Sequence, residues 1–261
     1  MNHQVVKLLL ALTFVIALAL GFTAYIFRSW KPSDQPMKPT LHYQYVWFID
    51  QSSSVDPSGQ PQWQRATEEQ VKRLRCGDTL LMFGLHNQTR QAAPIYNDEV
   101  PAVSDDPTID EDKRCKLKLD PMRQQLKEKF REAFDLRHRA TETDYFSAID
   151  RIKLDQTRHT MVFFVGDMVQ SNRDLDLERV RLTEENIVDL LNPVIARHGR
   201  QRDQLKGVRI HCILNSLNIR EAAPLNDVHI LRKFWGTLFQ SLGAELVTFD
   251  THLSVKQSSG Q

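Results

Sequence analysis

The sequence predicts an α/β domain in which a doubly wound, mostly parallel sheet is flanked by helices and preceded by one transmembrane helix. Continuous apolar runs such as Tyr45–Ile49 indicate strands that are buried on both faces, as in parallel sheets. These runs alternate with segments of helical period, which is typical of a sheet covered by helices. An uncharged stretch at residues 8–27 is long enough to cross a bilayer. We therefore expect a Rossmann-like domain on a membrane anchor.

The composition fits one globular domain with an appendage. The chain has 261 residues, a formal net charge of +1 and 26% charged residues. This near-neutral balance argues against nucleic acid as a partner. Three widely spaced cysteines predict neither a disulfide framework nor a zinc ribbon. Cys76 and Cys212 lie in apolar patterns and are predicted to be packed thiols, although one disulfide is left open.

The amino-terminal stretch is predicted to be an anchor. Lys7 precedes residues 8–27, and Arg28 follows them at the expected interface. Ala17 and Ala19 form an A-x-A pattern, so a cleaved signal peptide is the alternative. Cleavage there would leave an apolar stretch at the new terminus, which favours the anchor. The charges beyond the helix favour a cytoplasmic domain, but the signal-like start favours an extracytoplasmic one, which is our expectation.

The remaining segments follow from composition. Residues 1–7 form a short tail, and residues 28–40 form a Pro-rich linker. The domain is expected at residues 41–252, followed by a disordered tail at residues 253–261. Residues 86–119 hold three prolines and many acids, but they lack the spacing and glycine of an EF-hand loop, so a solvated surface insertion is predicted.

Strands and helices are predicted from the period of the apolar residues. Strands are expected at residues 44–50, 79–85, 160–165, 208–214 and 244–249. Helices are expected at residues 62–75, at 121–138, in a short segment entered at Thr143, from Thr183 to a stop at Gly199, and from the cap Asp227 to Gly243.

Oxygen-bearing side chains follow the first predicted strand. Asp50 ends an apolar run, and Ser52 and Ser54 come directly after it. Residues i, i+2 and i+4 of an extended segment share one face, so the three side chains can address one point. The carboxyl ends of strands are where open α/β sheets bind ligands. A hard divalent cation such as Mg²⁺ suits these oxygens.

Two later residues extend this pattern. Thr143 lies within TETDYFSAI at a helix entrance, and Asp167 follows the apolar run that ends at Gly166. With Asp50-Gln51-Ser52-Ser53-Ser54 as D-x-S-x-S, this order resembles the von Willebrand factor A (vWA) domain and its metal-ion-dependent adhesion site. The resemblance covers about residues 41 to 250.

The resemblance implies a binding function without catalysis. In that family the two serines and the threonine coordinate the ion, the aspartates act directly or through water, and one position stays open for a partner's carboxylate. Carried onto this chain, it implies Mg²⁺ (or Mn²⁺ or Ca²⁺) at Asp50, Ser52, Ser54, Thr143 and Asp167 and a protein partner that presents Asp or Glu. The glycine pair usual before the threonine is Ala140-Thr141-Glu142 here, so Thr141 is an alternative ligand to Thr143.

Two other interpretations stay open. Asp50, Gly166-Asp167 and Lys153 also resemble a haloacid-dehalogenase-like phosphatase, but Ser52 stands where its second aspartate is expected, which removes the proton donor. A metal-free scaffold is the other possibility, in which Asp50, Ser52 and Ser54 only cap a turn. The chain has no Walker loop, dinucleotide fingerprint or H-E-x-x-H motif.

Overall fold

The computed structural model describes residues 42–52, 60–86, 89–100, 111–135, 142–197, 203–216 and 222–251. All of them belong to the compact unit Leu41–Gln261. The predicted transmembrane helix, the linker, both tails, Ser54 and Thr141 lie outside the described residues. No helix within the described ranges is long and apolar enough to cross a bilayer.

The strands of the described chain form one sheet. They are β1 (Tyr43–Asp50), β2 (Thr79–Leu85), β3 (Tyr96–Glu99), β4 (His159–Gly166), β5 (Arg209–Leu214) and β6 (Glu245–Asp250). Their order across the sheet is β3-β2-β1-β4-β5-β6, and every neighbouring pair is parallel except β2 with β3. This confirms the mostly parallel sheet.

The helices of the described chain pack on the two faces of this sheet. They are α1 (Gln60–Arg73), α2 (Glu111–Asp135), α3 (Tyr145–Asp150), α4 (Ile187–Arg197) and α5 (Val228–Ser241). Strand β1 leads through α1 to β2 on one side, whereas β4 leads through α4 to β5 on the other. The chain therefore adds strands towards one edge of the sheet after β1 and towards the other edge after β4, although β1 and β4 are parallel. The switch point between these two strands is where doubly wound sheets bind their ligands.

Alternate residues of β1 supply two separate cores. Trp47 and Ile49 pack in a core with residues of α1 and α2. Val46 and Phe48 pack on the opposite face in a core with residues of α3, α4 and α5. Because side chains alternate across a strand, a central strand with both faces buried must be apolar throughout, as the run before Asp50 is.

The predicted surface insertion is wrong in its second half. Helix α2 begins at Glu111, ten residues before the predicted start, and Pro121 lies inside it. Cys115, Leu119 and Met122 are each buried on one helical stripe, so the apolar face extends ahead of the proline. The short edge strand β3 was also not predicted.

A disulfide joins Cys76 to Cys115, with the two Cα atoms 5.9 Å apart. The prediction that Cys76 is a packed thiol is therefore wrong. Its partner Cys115 lies on the unpredicted first turns of α2, which places it over the turn between α1 and β2. Cys212 is a buried free thiol, as predicted.

Candidate functional site

The candidate residues at strand ends meet at the switch point. Asp50 is the last residue of β1, and Asp167 directly follows β4. These strands are parallel neighbours, with Ile49 opposite Val165. Both carboxylates therefore lie at the carboxyl edge of the central strand pair, where the topology predicts a ligand site.

Asp50 is surrounded by hydrogen-bond donors. Its Oδ1 accepts the backbone N–H of Ser52 at 2.8 Å and the hydroxyl of Thr143 at 3.4 Å. Its Oδ2 accepts the hydroxyl of Tyr145 at 2.8 Å. The Ser52 hydroxyl also bonds to this carboxylate. Three of the five predicted ligands, Asp50, Ser52 and Thr143, are thus in contact.

Tyr145 was not predicted as a site residue. Sequence reasoning assigned it only to the buried face of a short helix, which is correct because its exposed fraction is 0%. Its hydroxyl also accepts the N–H of Met168 at 3.1 Å, so it connects the end of β1 with the chain after β4. The sequence offered one indication: a hydroxyl-bearing side chain, Tyr145, stands at an inward-facing position two residues after Thr143, and a buried tyrosine hydroxyl usually has a hydrogen-bond partner.

Gly166 leaves the space that this tyrosine occupies. A Cβ atom at Gly166 would lie 2.5 Å from the Tyr145 hydroxyl and 2.6 Å from Cβ of Asp50. Such distances are too short for non-bonded carbon, so any larger residue would displace the Tyr145 hydroxyl or the Asp50 carboxylate. The glycine before Asp167 is therefore a packing requirement of the site.

Thr143 is held by its backbone. Its N–H donates to the Ser171 hydroxyl at 3.1 Å, and its carbonyl accepts the Ser171 N–H at 3.1 Å. The cap of α3 is Asp144, whose carboxylate accepts the Ser147 N–H at 3.0 Å. Thr143 thus lies one residue before the cap, at the helix entrance, and its hydroxyl donates to Asp50.

Gln170 accepts hydrogen bonds from the first two backbone N–H groups of α3. Its Oε1 accepts the N–H of Tyr145 at 2.8 Å and that of Phe146 at 3.3 Å. The first backbone donors of a helix need such partners when they are buried. Gln170 therefore fixes the position of Tyr145 at the helix start.

Asp167 lies in a turn of its own. Its Oδ1 accepts the N–H of Val169 at 2.8 Å, and Met168 between them has a left-handed φ of 59°. The carbonyl of Met168 accepts the indole N–H of Trp235 at 2.8 Å, which anchors this turn to α5. The turn that carries the second carboxylate is therefore tied to α5.

Burial dominates the electrostatics of Asp50. Burial raises the pKa of Asp50, and the hydrogen bonds from Ser52, Tyr145 and Thr143 only oppose this. The pKa of Tyr145 is also raised, first by burial and then by the charges of Asp50 and Asp167. No described Lys, Arg or His forms an ion pair with Asp50. A buried carboxylate in this state is either protonated or paired with a cation that the described residues do not supply.

The donor set suits a hard divalent cation, because carboxylate and hydroxyl oxygens are its preferred ligands. No group of three or more His, Cys, Asp or Glu side chains in the described ranges could hold a metal ion, so such a site depends on the hydroxyls. The exposed fractions of Asp50, Ser52, Thr143 and Asp167 are 1, 3, 0 and 1%. These oxygens are therefore nearly closed to solvent.

Lys153 lies elsewhere. It lines a groove together with Gln44 and Val46, in the amino-terminal half of β1. Asp50 is at the other end of that strand. The lysine named in the phosphatase interpretation is therefore placed away from the carboxylate on which that reaction would depend.

Comparisons with known proteins gave likeness in structure alone. No protein-family model matches the sequence, and no curated protein matches it. Among solved structures, the hypothetical protein BatB from Bacteroides thetaiotaomicron is 12% identical, with a TM-score of 0.34 over 66% of this chain and 65% of that one. The SpRpn10 VWA domain is 11% identical, with a TM-score of 0.37 over 82% and 90%. A von Willebrand factor type A protein from Catenulispora acidiphila is 13% identical, with a TM-score of 0.37 over 78% and 43%. Likenesses with TM-scores this low imply no shared site or function.

Proposed function

We propose that this chain carries a vWA-type domain that binds the Asp or Glu side chain of a protein partner through a divalent cation. Asp50, Ser52, Ser54, Thr143 and Asp167 hold the cation, which is Mg²⁺ or, alternatively, Mn²⁺ or Ca²⁺. We propose binding and not catalysis, because neutral hydroxyl ligands leave the charge of the cation incompletely neutralised. A bound cation supplies the charge and the open position that a partner's carboxylate completes.

One observation carries this proposal. Asp50 is buried at the switch point and accepts the hydroxyls of two other predicted ligands, Ser52 and Thr143, yet no described cationic side chain pairs with it. A hydroxyl that donates its proton to Asp50 still has oxygen lone pairs for a cation. The same hydrogen bonds that hold Asp50 therefore orient Ser52 and Thr143 as ligands.

Calorimetry of the full chain with Mg²⁺ and Mn²⁺ tests the cation site. We expect one binding event in the wild type and none in Asp50→Ala or in the near-isosteric Asp50→Asn. The matched control is Asp250→Ala, because Asp250 also ends a strand of this sheet but is exposed. A melting temperature of Asp50→Asn equal to that of the wild type would show that the variant is folded, so that its loss of binding is not caused by unfolding.

The outcomes separate the alternatives. Equal heats for the wild type and both Asp50 variants would reject the cation site and leave a metal-free scaffold, in which Asp50 is a protonated structural residue. Turnover of a generic phosphomonoester that disappears in Asp50→Asn would replace binding with phosphatase chemistry. Binding that is lost in Ser54→Ala and kept in Thr141→Ala would support Ser54 as a ligand and favour Thr143 over Thr141.

We further propose that residues 8–27 anchor the domain on the extracytoplasmic side of a membrane. The Cys76–Cys115 disulfide supports this side, because disulfides form and persist in oxidising compartments and are rare in the cytosol. Accessibility of the domain to protease added outside intact cells tests the proposal. Digestion only after lysis would place the domain on the cytoplasmic side.

A further inference from the structure

The groove that Lys153 lines lies on the sheet face that carries α3. Its volume is about 410 Å³. Its floor is apolar and comes from two neighbouring strands, with Val46 of β1 and with Leu81 and Phe83 of β2. Leu81 is only partly buried, so part of this floor is open to solvent. Leu154, which follows the rim residue Lys153, is 42% exposed.

Three cationic side chains surround the floor: Arg90, Arg151 and Lys153. The guanidinium of Arg151 lies 4.4 Å from the ring centre of Phe83 and donates to the carbonyl of Arg90 at 3.0 Å. These two contacts fix Arg151 over the apolar floor while most of its five N–H donors stay available. Asp150 is the only carboxylate among the described residues that line the groove.

These cations have no described counter-charge within ion-pair distance. Elsewhere in the described chain Arg158 pairs with Glu99 and Asp155, and Arg197 pairs with Asp174. No described carboxylate forms such a pair with the three cations of the groove. Their concentration around one concave site therefore creates an unbalanced positive potential there.

Gln44 adds a neutral donor. Its exposed fraction is 9%, and its Oε1 accepts the Thr160 hydroxyl at 2.9 Å. This bond orients the amide so that its NH₂ group is the end left without a described acceptor. With Asp150 set aside, the polar lining of the groove therefore consists of donors that match an acceptor-rich, negatively charged occupant.

We propose that this groove binds an acidic peptide segment of a partner protein, in which Asp or Glu residues flank an apolar side chain. The carboxylates are held by Arg151, Lys153 and Arg90. The apolar side chain covers Leu81 and the edge of Phe83. The floor favours a peptide over a simple anion, because a bound phosphate would leave this apolar surface in water.

The groove is separate from the candidate cation site. None of its lining residues is a proposed ligand of the cation. The floor residue Phe83 is paired with Phe48, two residues before Asp50, whereas Gln44 lies six residues before Asp50, roughly 20 Å away at the rise of a strand. Peptide binding in the groove is therefore expected to be unaffected by removal of divalent cations. This independence distinguishes failure of the groove from failure of the cation site.

Fluorescence anisotropy of the full chain with a labelled pool of short peptides tests the proposal. The pool combines Asp and Glu with Leu, Ile and Phe in varied order, and a matched pool carries Asn and Gln in place of the acids. We expect binding of the acidic pool alone, and it should weaken as salt is added. Loss of two charges in Arg151→Gln with Lys153→Gln should weaken binding about fivefold or more. Leu81→Ala should weaken it as well.

The matched control is Lys116→Gln with Lys118→Gln, which removes the same charge from exposed positions of α2 on the other face of the sheet. This variant should bind within twofold of the wild type, and EDTA should change nothing. Equal binding by the Arg151 and Lys153 double variant, or equal binding of the neutral pool, would overturn the proposal. Competition by inorganic phosphate as effective as that by peptide would also overturn it, because the floor would then contribute nothing.

Discussion

The hydroxyl of Tyr145 donates a 2.8 Å hydrogen bond to Oδ2 of Asp50, and the exposed fractions of the two residues are 0 and 1%. The same hydroxyl accepts the Met168 N–H at 3.1 Å. One phenol therefore satisfies a carboxylate at the end of one strand and a backbone donor after the next. This makes Tyr145 the residue that joins the two halves of the candidate site.

Tyr145→Phe is expected to lower the free energy of unfolding by about 1–3 kcal/mol, because it leaves a buried acceptor and a buried donor without a partner. Urea denaturation of the full chain measures this change. The matched control is Tyr96→Phe. Among the described residues, the Tyr96 hydroxyl bonds to Asp98 alone, at 3.2 Å, and Asp98 is exposed. Equal costs for the two substitutions would show that the Tyr145 hydroxyl has no special structural role.

Gly166→Ala is expected to destabilise the domain by about 1–3 kcal/mol, because its Cβ would lie 2.5 Å from the Tyr145 hydroxyl. Gly236→Ala provides a control of opposite sign. Gly236 lies inside α5, and its Cβ would meet only Leu246 at an ordinary 3.7 Å. That substitution should stabilise the domain by about 0.5–1 kcal/mol, since alanine favours the helix. Thermal melts of both variants test these two predictions. A Gly166→Ala variant as stable as the wild type would contradict the close contact between the added Cβ and the Tyr145 hydroxyl.

His211 is expected to lower the free energy of unfolding of the domain as the pH falls. Burial, and to a smaller extent the charge of Arg209, lowers the pKa of this histidine to about 4. The unfolded chain takes up a proton near its ordinary pKa of about 6.5, so unfolding is favoured as the pH falls from there towards 4. The loss approaches roughly 3 kcal/mol at the lower end.

Urea midpoints between pH 7 and pH 4 measure this dependence, and His211→Phe is the comparison. Phenylalanine keeps the stacking against Phe163, whose ring centre lies 5.0 Å away, but cannot take up a proton. The variant should therefore lose less stability over the same range than the wild type. Parallel curves would assign the acid sensitivity to other groups.

The Cys76–Cys115 disulfide closes a loop of 39 residues in sequence separation and is expected to stabilise the domain by about 2–5 kcal/mol. Melting with and without reductant measures this contribution. Cys212→Ala should keep the reductant effect, whereas Cys115→Ser should abolish it. Thiol titration of the denatured, non-reduced protein should find one free thiol, and three would contradict the disulfide.

Much of the central sheet could be predicted from the sequence. The strand at residues 79–85 was predicted with its observed bounds, and the buried stripe of α1 contains the expected Trp63 and Val71. These elements were accessible because a strand buried on both faces, or a helix with one buried stripe, leaves a clear period in the sequence. That Asp50 and Asp167 lie at one edge of the sheet followed from the same pattern, since carboxyl ends of parallel strands share one edge. The place of Thr143 beside Asp50 was expected only from the family resemblance.

The elements that were missed have weak local patterns. Strand β3 buries only Tyr96 of its four residues, so it has no apolar alternation to detect. The first turns of α2 carry Cys115 and Leu119 among charged residues, and Pro121 suggested a start where there is none. Tyr145 was assigned to the core by its period, but whether a buried tyrosine uses its hydroxyl depends on groups that are distant in sequence, here Asp50, 95 residues away.

The sequence distance between Asp50 and its partners has a consequence for folding. Thr143 lies 93 residues from Asp50, and the two meet only when the centre of the sheet has formed. An unfolded chain therefore offers no preformed cluster, and a ligand of these oxygens binds the native state alone. Such a ligand at one hundred times its dissociation constant adds about 2.7 kcal/mol to the free energy of unfolding. Cation binding at this cluster would act on the folding equilibrium of the whole domain, so the melting temperature itself reports on it.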